Sequence, residues 1–341
     1  AIFRDLARKF DGAYNIAFID GDGTTLVARD PLGFRPLRYG SLDDVHIAAS
    51  ESNALENTGV SKTKDVKPGE MLIMKDGNLS IRRYAKCRRK AHCMFEYVYF
   101  ANAASVLEGI SVYLSRRRLG KNLAKLETEN VNDDYIVVPV PDSAKPVGAG
   151  FAYELGLPAE EGLLRNRYVG RTFIESSNRE DRVRHKFTVL RRVVEGKKVL
   201  LVDDSIVRGT TTKNIVKYLK DVGKAKEVHV RISCPPVMCP CFYGIDMSTV
   251  SELFAPRYMK CNGVKPSDKE LSIMAKQINA DSLIYQDISG LVKSLNMPRQ
   301  DMCMACLNGR YPTLWGRKLY EAAAHKKSKR INNRTYEYID I

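Results

Sequence analysis

The sequence predicts a two-part protein, α+β in its first portion and α/β with a mostly parallel sheet behind it. Three observations carry that expectation. Strand-like runs at Tyr135–Val140, Val199–Asp203 and Glu227–Ile232 alternate with segments of helical periodicity, the pattern of parallel sheets covered by helices. The run Lys198-Val-Leu-Leu-Val-Asp203 is nearly all apolar, as a strand covered on both faces must be. Residues 1–90 instead hold short strand-like runs split by Gly/Asp turns, which favours antiparallel pairing.

Taken in order, Ile2-Phe-Arg-Asp-Leu-Ala-Arg-Lys-Phe10 reads as an amphipathic helix, not a leader. Strands are expected within Gly12–Asp20, Gly23–Arg29 and Val45–Ser50. Residues 105–127, rich in Leu, Arg and Lys, form a long helical pattern. Tyr135–Val140 runs into a Pro-Asp-Ser turn and a helix over Val147–Leu155. After Asp203 come a Ser/Gly/Thr-rich turn and a helical segment from Lys213. The expected partition is 1–90, a connecting helical segment 91–130, a sheet domain 131–315 and a basic tail 316–341. Chain position 1 is Ala, which suggests a fragment or a processed chain.

At 341 residues and 44% hydrophobic content, the chain can bury two ordinary cores. It has no apolar run of membrane-spanning length and no secretory signal, so a cytoplasmic protein is expected. The net charge of +15 raises the question of nucleic acid. Its clusters, Arg82-Arg83, Arg88–Lys90, Arg116–Arg118 and Lys326–Arg330, are scattered and lack interleaved aromatics. That disfavours a nucleic-acid binder, while a positive field also serves a substrate with many phosphate charges. The five histidines show no metal or triad spacing.

The segment from Lys198 to Thr212 carries the most chemistry. In open α/β sheets ligands sit beyond the carboxyl ends of the strands, and the N–H groups of a turn and helix start hold phosphate there. Asp203 and Asp204 cannot favour that phosphate, so they call for sugar hydroxyls, a divalent metal, or both. A sugar phosphate beside Mg²⁺ satisfies the segment. It is not a Walker A loop, because the G-x-x-x-x-G-K-[ST] order is absent. A second strand-end turn, Val140-Pro-Asp142-Ser143-Ala-Lys-Pro146, could meet pyrophosphate and metal. By itself it is common turn chemistry. A third segment, Leu164 to Ile174, sets three arginines around a glycine and a tyrosine. It reads either as a solvated basic hairpin or as a cover that excludes water from a reactive sugar cation.

The eight cysteines do not read as a secreted disulfide framework. Cys303-Met-Ala-Cys306 has ligand spacing, and Cys93 and Cys241 could converge on it. From chemistry alone, Cys₄ zinc and an iron–sulfur cluster both remain open.

The Lys198–Thr212 segment looks like the phosphoribosyl pyrophosphate (PRPP) loop of type I phosphoribosyltransferases. Together, Asn166–Ile174, Val199–Thr211 and Cys241-Phe-Tyr-Gly-Ile-Asp246 closely resemble the glutamine PRPP amidotransferase (amidophosphoribosyltransferase) family. The resemblance runs from about Gly12 to Pro312, and Asp30–Pro36 and Val66–Leu72 resemble its glutaminase domain. It implies a partial Ntn-hydrolase-type glutaminase β-sandwich followed by a type I phosphoribosyltransferase parallel-sheet domain. The implied reaction displaces pyrophosphate from PRPP by glutamine-derived ammonia, opening purine biosynthesis.

Carried over by position, the resemblance implies that Asp203 and Asp204 bind ribose hydroxyls and Mg²⁺. Ser205, Ile206, Val207, Arg208, Gly209, Thr210 and Thr211 would cradle the 5-phosphate. Asp142 and Ser143 would belong to the pyrophosphate loop, with Ser143 near the metal. Arg167, Tyr168 and Arg171 would act catalytically from a closing loop. Where the family often has Lys, this chain has Arg165, which alters a point-like cation contact. Cys93, Cys241, Cys303 and Cys306 would hold a structural [4Fe–4S] cluster, with Cys239 a rival ligand and Cys87, Cys234 and Cys261 spare. The family's N-terminal catalytic Cys has no counterpart before Cys87, so this chain is expected to use ammonia at most. Homo-oligomers and nucleotide feedback inhibitors are further expectations. The rivals are a nucleobase-salvage phosphoribosyltransferase and a PRPP-sensing DNA-binding regulator. The latter requires a helix-turn-helix or winged-helix module that the β-rich front does not offer.

Overall fold

The computed structural model describes residues 2–166, 186–247 and 249–326. Two compact units emerge, one from the described residues of 1–113, 239–250 and 296–341, the other from 114–238 and 251–295. The linear partition therefore differs from the spatial one: segments 239–250 and 296–315 group with the front of the chain. Among the described residues no helix is long and apolar enough to cross a membrane.

The first unit opens with α1 (Ile2–Lys9), none of whose residues is buried. An antiparallel sheet then orders β1 (Asn15–Ile19), β2 (Thr25–Arg29), β6 (Glu70–Lys75) and β7 (Asn78–Arg83). A second antiparallel sheet places β3 (Arg38–Leu42) between β4 (Val45–Ala49) and β5 (Thr63–Asp65), with α2 (Ser52–Glu56) after β4. Val27 of β2 and Leu72 of β6 form one core cluster with Leu37, just before β3, and Val66, just after β5. Between β2 and β3, the Asp30 carboxylate accepts from the backbone N–H groups of Leu32, Gly33 and Phe34. Burial raises its pKa to about 6 against that help. Farther along come β8 (His92–Cys93) and a π-helical turn at Glu96–Phe100.

The helix expected over 105–127 is shorter. Residues 106–111 form a hairpin of β9 (Val106–Leu107) and β10 (Ile110–Ser111), and α3 spans Val112–Ala124. The reason is local: Glu108 and Gly109 both take positive φ, +51° and +74°, the two-residue turn that joins antiparallel strands.

In the second unit a parallel sheet has the order β11 (Tyr135–Pro139), β14 (Lys198–Asp203), β15 (Glu227–Ile232), β16 (Ser282–Tyr285). β14 and β15 are buried from their second residue onward, as the apolar run required. A separate antiparallel pair joins β12 (Leu163–Arg165) to β13 (Phe187–Val189). Its helices are α4 (Lys145–Leu155), the short α5 (Arg191–Val194), α6 (Thr210–Asp221), α7 (Asp268–Gln277) and α8 (Ile288–Leu295). Val137, Leu200 and Val202 on the sheet pack with Val147 and Phe151 of α4 and Leu123 of α3. Back in the first unit, β17 (Met302–Cys303) pairs in parallel with β8, and α9 (Ala305–Asn308) and α10 (Leu314–Lys326) follow.

Candidate active site and cysteine centre

Asp203 ends β14 and Asp204 follows it at the carboxyl edge of the parallel sheet. Backbone hydrogen bonds hold this end of β14 on both sides. Val140 donates its N–H to the Val202 carbonyl at 2.8 Å, Ser233 donates to Asp203 at 3.0 Å, and Cys234 donates to Asp204 at 2.9 Å. Both side chains are buried, 7% and 5% exposed. The two strand-end turns meet here: the Ser143 hydroxyl donates to Asp204 Oδ2, and the Ser205 hydroxyl donates to Oδ1 at 2.6 Å.

Two buried acids on adjacent residues cannot ionise cheaply. Burial, then the neighbouring Asp204 charge, pushes Asp203 well above the ordinary carboxylate range. Burial also raises Asp204, opposed by the Ser143 and Ser205 hydroxyls and by the Arg116 and Lys186 charges. Arg116, 2% exposed on α3, and Lys186 were missed by sequence reasoning. Nothing local marks them, because the Arg116–Arg118 cluster reads as one more patch of surface charge.

After Asp204, Ile206 turns inward while Thr210 and Thr211 are exposed at the start of α6. Gly209 caps that helix with φ +80°, a conformation natural only to glycine. The first turn of a helix lacks intrahelical acceptors for its N–H groups, so α6 presents donors beside the acids. Arg208 points to Glu252. In the other turn, the Pro141–Asp142 peptide is cis, and exposed Asp142 pairs with Arg165 of β12 at 2.9 Å. Arg167, Tyr168 and Arg171 lie outside the described residues.

In the first unit, Cys93, Cys241, Cys303 and Cys306 line one pocket with Phe34, Phe95, Tyr243, Ile245, Met247 and Ala305. β8 and β17 bring Cys93 opposite Cys303. The space is small, about 10 Å³, room for a single water. Burial lifts the thiol pKa values: Cys93 well above the ordinary range, Cys241 upward, and Cys303 to about 12. Cys239 does not line the pocket, and its thiol faces the Tyr320 hydroxyl at 3.7 Å. Cys234 is buried behind Asp204 in the second unit, and Cys261 is exposed.

Among the described residues no three His, Cys, Asp or Glu side chains converge on an ion-sized point. Four thiols lining one pocket supply the donor set of a structural zinc or of an iron–sulfur cluster with one thiolate per iron. The acid pair fits Mg²⁺, which usually takes one or two carboxylates and completes its shell with water and substrate oxygens.

Residues 113–235 match the phosphoribosyl transferase domain, and residues 1–57 match a glutamine amidotransferase domain. The amidophosphoribosyltransferase of Methanocaldococcus jannaschii is 42% identical over 327 residues, 91% of this chain and 66% of that protein. That of Bacillus subtilis is 42% identical over 294 residues, 84% and 59% of the two. A solved structure of the B. subtilis glutamine PRPP amidotransferase, complexed with ADP and GMP, superposes with a TM-score of 0.79 at 39% identity. It covers 91% of this chain and 66% of that one. This chain therefore spans just under two thirds of the length of the M. jannaschii relative and less of the B. subtilis one. With a segment like the glutamine amidotransferases and a phosphoribosyltransferase domain built on a parallel sheet, the chain is a homologue of the amidophosphoribosyltransferases.

Proposed function

We propose that this chain is the phosphoribosyl-transferring part of an amidophosphoribosyltransferase. It joins ammonia to PRPP with release of pyrophosphate. One observation carries the reading: Ser143 of one strand-end turn hydrogen-bonds Asp204 of the other at the carboxyl edge of the sheet. The two segments that resemble a pyrophosphate loop and a ribose-phosphate loop thus form a single site.

The start of α6 and the Ser205–Thr211 turn would hold the 5-phosphate through backbone N–H groups and the two threonine hydroxyls. Asp203 and Asp204 would take the ribose hydroxyls and, with Ser143, Mg²⁺. When bound, the metal supplies charge neutralisation for the pyrophosphate leaving group. Asp142 and Arg165 flank the pyrophosphate position. Arg167, Tyr168 and Arg171 would cover the site, exclude water and favour ammonia as the nucleophile. No strong protein nucleophile is required, since positioning and leaving-group stabilisation account for the chemistry. In the first unit, Cys93, Cys241, Cys303 and Cys306 would hold a [4Fe–4S] cluster, which when bound supplies a structural cross-link.

Partners follow from the same reading: PRPP, ammonia or glutamine-derived ammonia, purine nucleotides as feedback ligands, and further copies of the chain. The relative solved with ADP and GMP supports the nucleotide part.

The test is Mg²⁺-dependent release of pyrophosphate from PRPP, with ammonium at alkaline pH against glutamine. Release with ammonium that requires both PRPP and Mg²⁺ is expected. A folded protein that binds PRPP but releases nothing with either nitrogen source points to the sensor reading instead.

A further inference from the structure

We infer that Glu252 and Phe254 are positioning residues that set the shape of the 205–209 turn, and that Arg208 is their anchor point, not a phosphate ligand. The inference rests on the reading of that turn as a phosphate cradle.

Three consecutive turn residues are tied to one distant segment. Val207 accepts a hydrogen bond from the Phe254 N–H at 2.8 Å. Arg208 donates from Nε and Nη2 to Glu252 Oε2 at 2.9 and 2.5 Å. Gly209, at φ +80°, lies against the Phe254 ring so closely that a Cβ there would sit 2.7 Å from Cδ2. The segment is itself braced. Phe254 is 3% exposed and packs on Tyr258 with ring centroids 5.1 Å apart, and Arg257 donates to the Ser251 carbonyl at 3.0 Å.

The electrostatics make this arrangement informative. A carboxylate beside an anion site opposes the anion, and it also occupies the turn's one cation. Glu252 therefore works against binding through its field. Its contribution must come from geometry: the fork fixes the Arg208 side chain, hence the backbone on either side, so that the N–H groups of the turn and of α6 converge. Field and geometry predict opposite signs when Glu252 is neutralised.

The experiment is Glu252→Gln, with PRPP binding followed by titration calorimetry in Mg²⁺ and ammonium-dependent pyrophosphate release measured alongside. Positioning predicts that Kd and KM for PRPP rise about tenfold while kcat stays within about twofold. The charge swap Arg208→Glu/Glu252→Arg should recover most of that loss. In the ligand-free protein, hydrogen exchange at 205–209 should accelerate in Glu252→Gln, which needs no substrate. Unchanged or tighter PRPP binding, or exchange that does not accelerate, overturns the inference. Failure of the unsubstituted protein to bind PRPP overturns the functional reading instead, and the exchange result then still decides whether Glu252 shapes the turn. The pair is half-exposed, so its loss leaves global stability nearly intact.

Discussion

At the residue scale, the proposed role of the acid pair sets function against stability. Asp203 and Asp204 both titrate above the ordinary Asp value because the fold buries them together. A raised folded pKa gives stability that is full below the unfolded value, about 3.9, and is lost as pH rises through the folded value. Replacing Asp203 by Asn removes that loss. Asp203→Asn is therefore expected to stabilise the ligand-free protein at neutral pH by about 1–2 kcal/mol and to abolish Mg²⁺-dependent PRPP binding. The gain in melting temperature should grow as pH rises from about 4. A variant less stable than its parent at pH 7 would contradict this account of the pair. The acids were legible in the sequence because they interrupt an apolar run. Arg116 and Lys186 were not, because a cation's role depends on which buried charge it faces.

At the element scale, α3 and α4 pack with their backbones in close contact. A Cβ on Gly120 would fall 1.9 Å from the Val147 carbonyl oxygen, and one on Gly150 would fall 2.1 Å from that of Arg117. Backbone cannot rotate away as a side chain can, so one helix must move. Gly120→Ala is expected to cost about 3 kcal/mol or more, read by denaturant unfolding. A loss under 1 kcal/mol would mean that α3 shifts freely. At α7, Ser267 and Glu270 form a reciprocal capping box. Ser267→Ala should cost about 1 kcal/mol and leave PRPP binding unchanged, separating helix stability from the site. The Ser267-x-x-Glu270 capping box is a local pattern that the sequence analysis did not use. The glycine contacts were not readable, since a glycine inside a helical pattern does not reveal what approaches it.

At the scale of the whole molecule, chain order and spatial order part company. The four pocket-lining cysteines come from three separate stretches of sequence that fold into one unit. A group bound by all four would cross-link those stretches. Anaerobic reconstitution with iron and sulfide should load the parent and Cys239→Ser, and should fail for Cys303→Ser, as read by visible absorbance and acid-labile sulfide. The raised Cys93, Cys241 and Cys303 thiols must lose their protons to bind, so loading should strengthen with pH. Equal loading of Cys303→Ser, or zinc without sulfide, would remove the cluster from the proposal.

The sequence by itself determined the elements whose signal is local. An apolar run makes β14 a buried strand, the Ser/Gly/Thr turn closes it, and helical periodicity follows with α6. The C-x-x-C spacing and the double acid are likewise carried by neighbouring residues. Tertiary structure decided what depends on approach between distant segments. It joined Ser143 to Asp204, turned Arg208 to Glu252, and set Cys239 apart from the four cysteines that share a pocket. It also assigned segments 239–250 and 296–315 to the first unit. The physical reason is range. Backbone propensity and periodicity act over a few residues, whereas burial, pairing of charge and close packing act between residues that only the completed fold brings together.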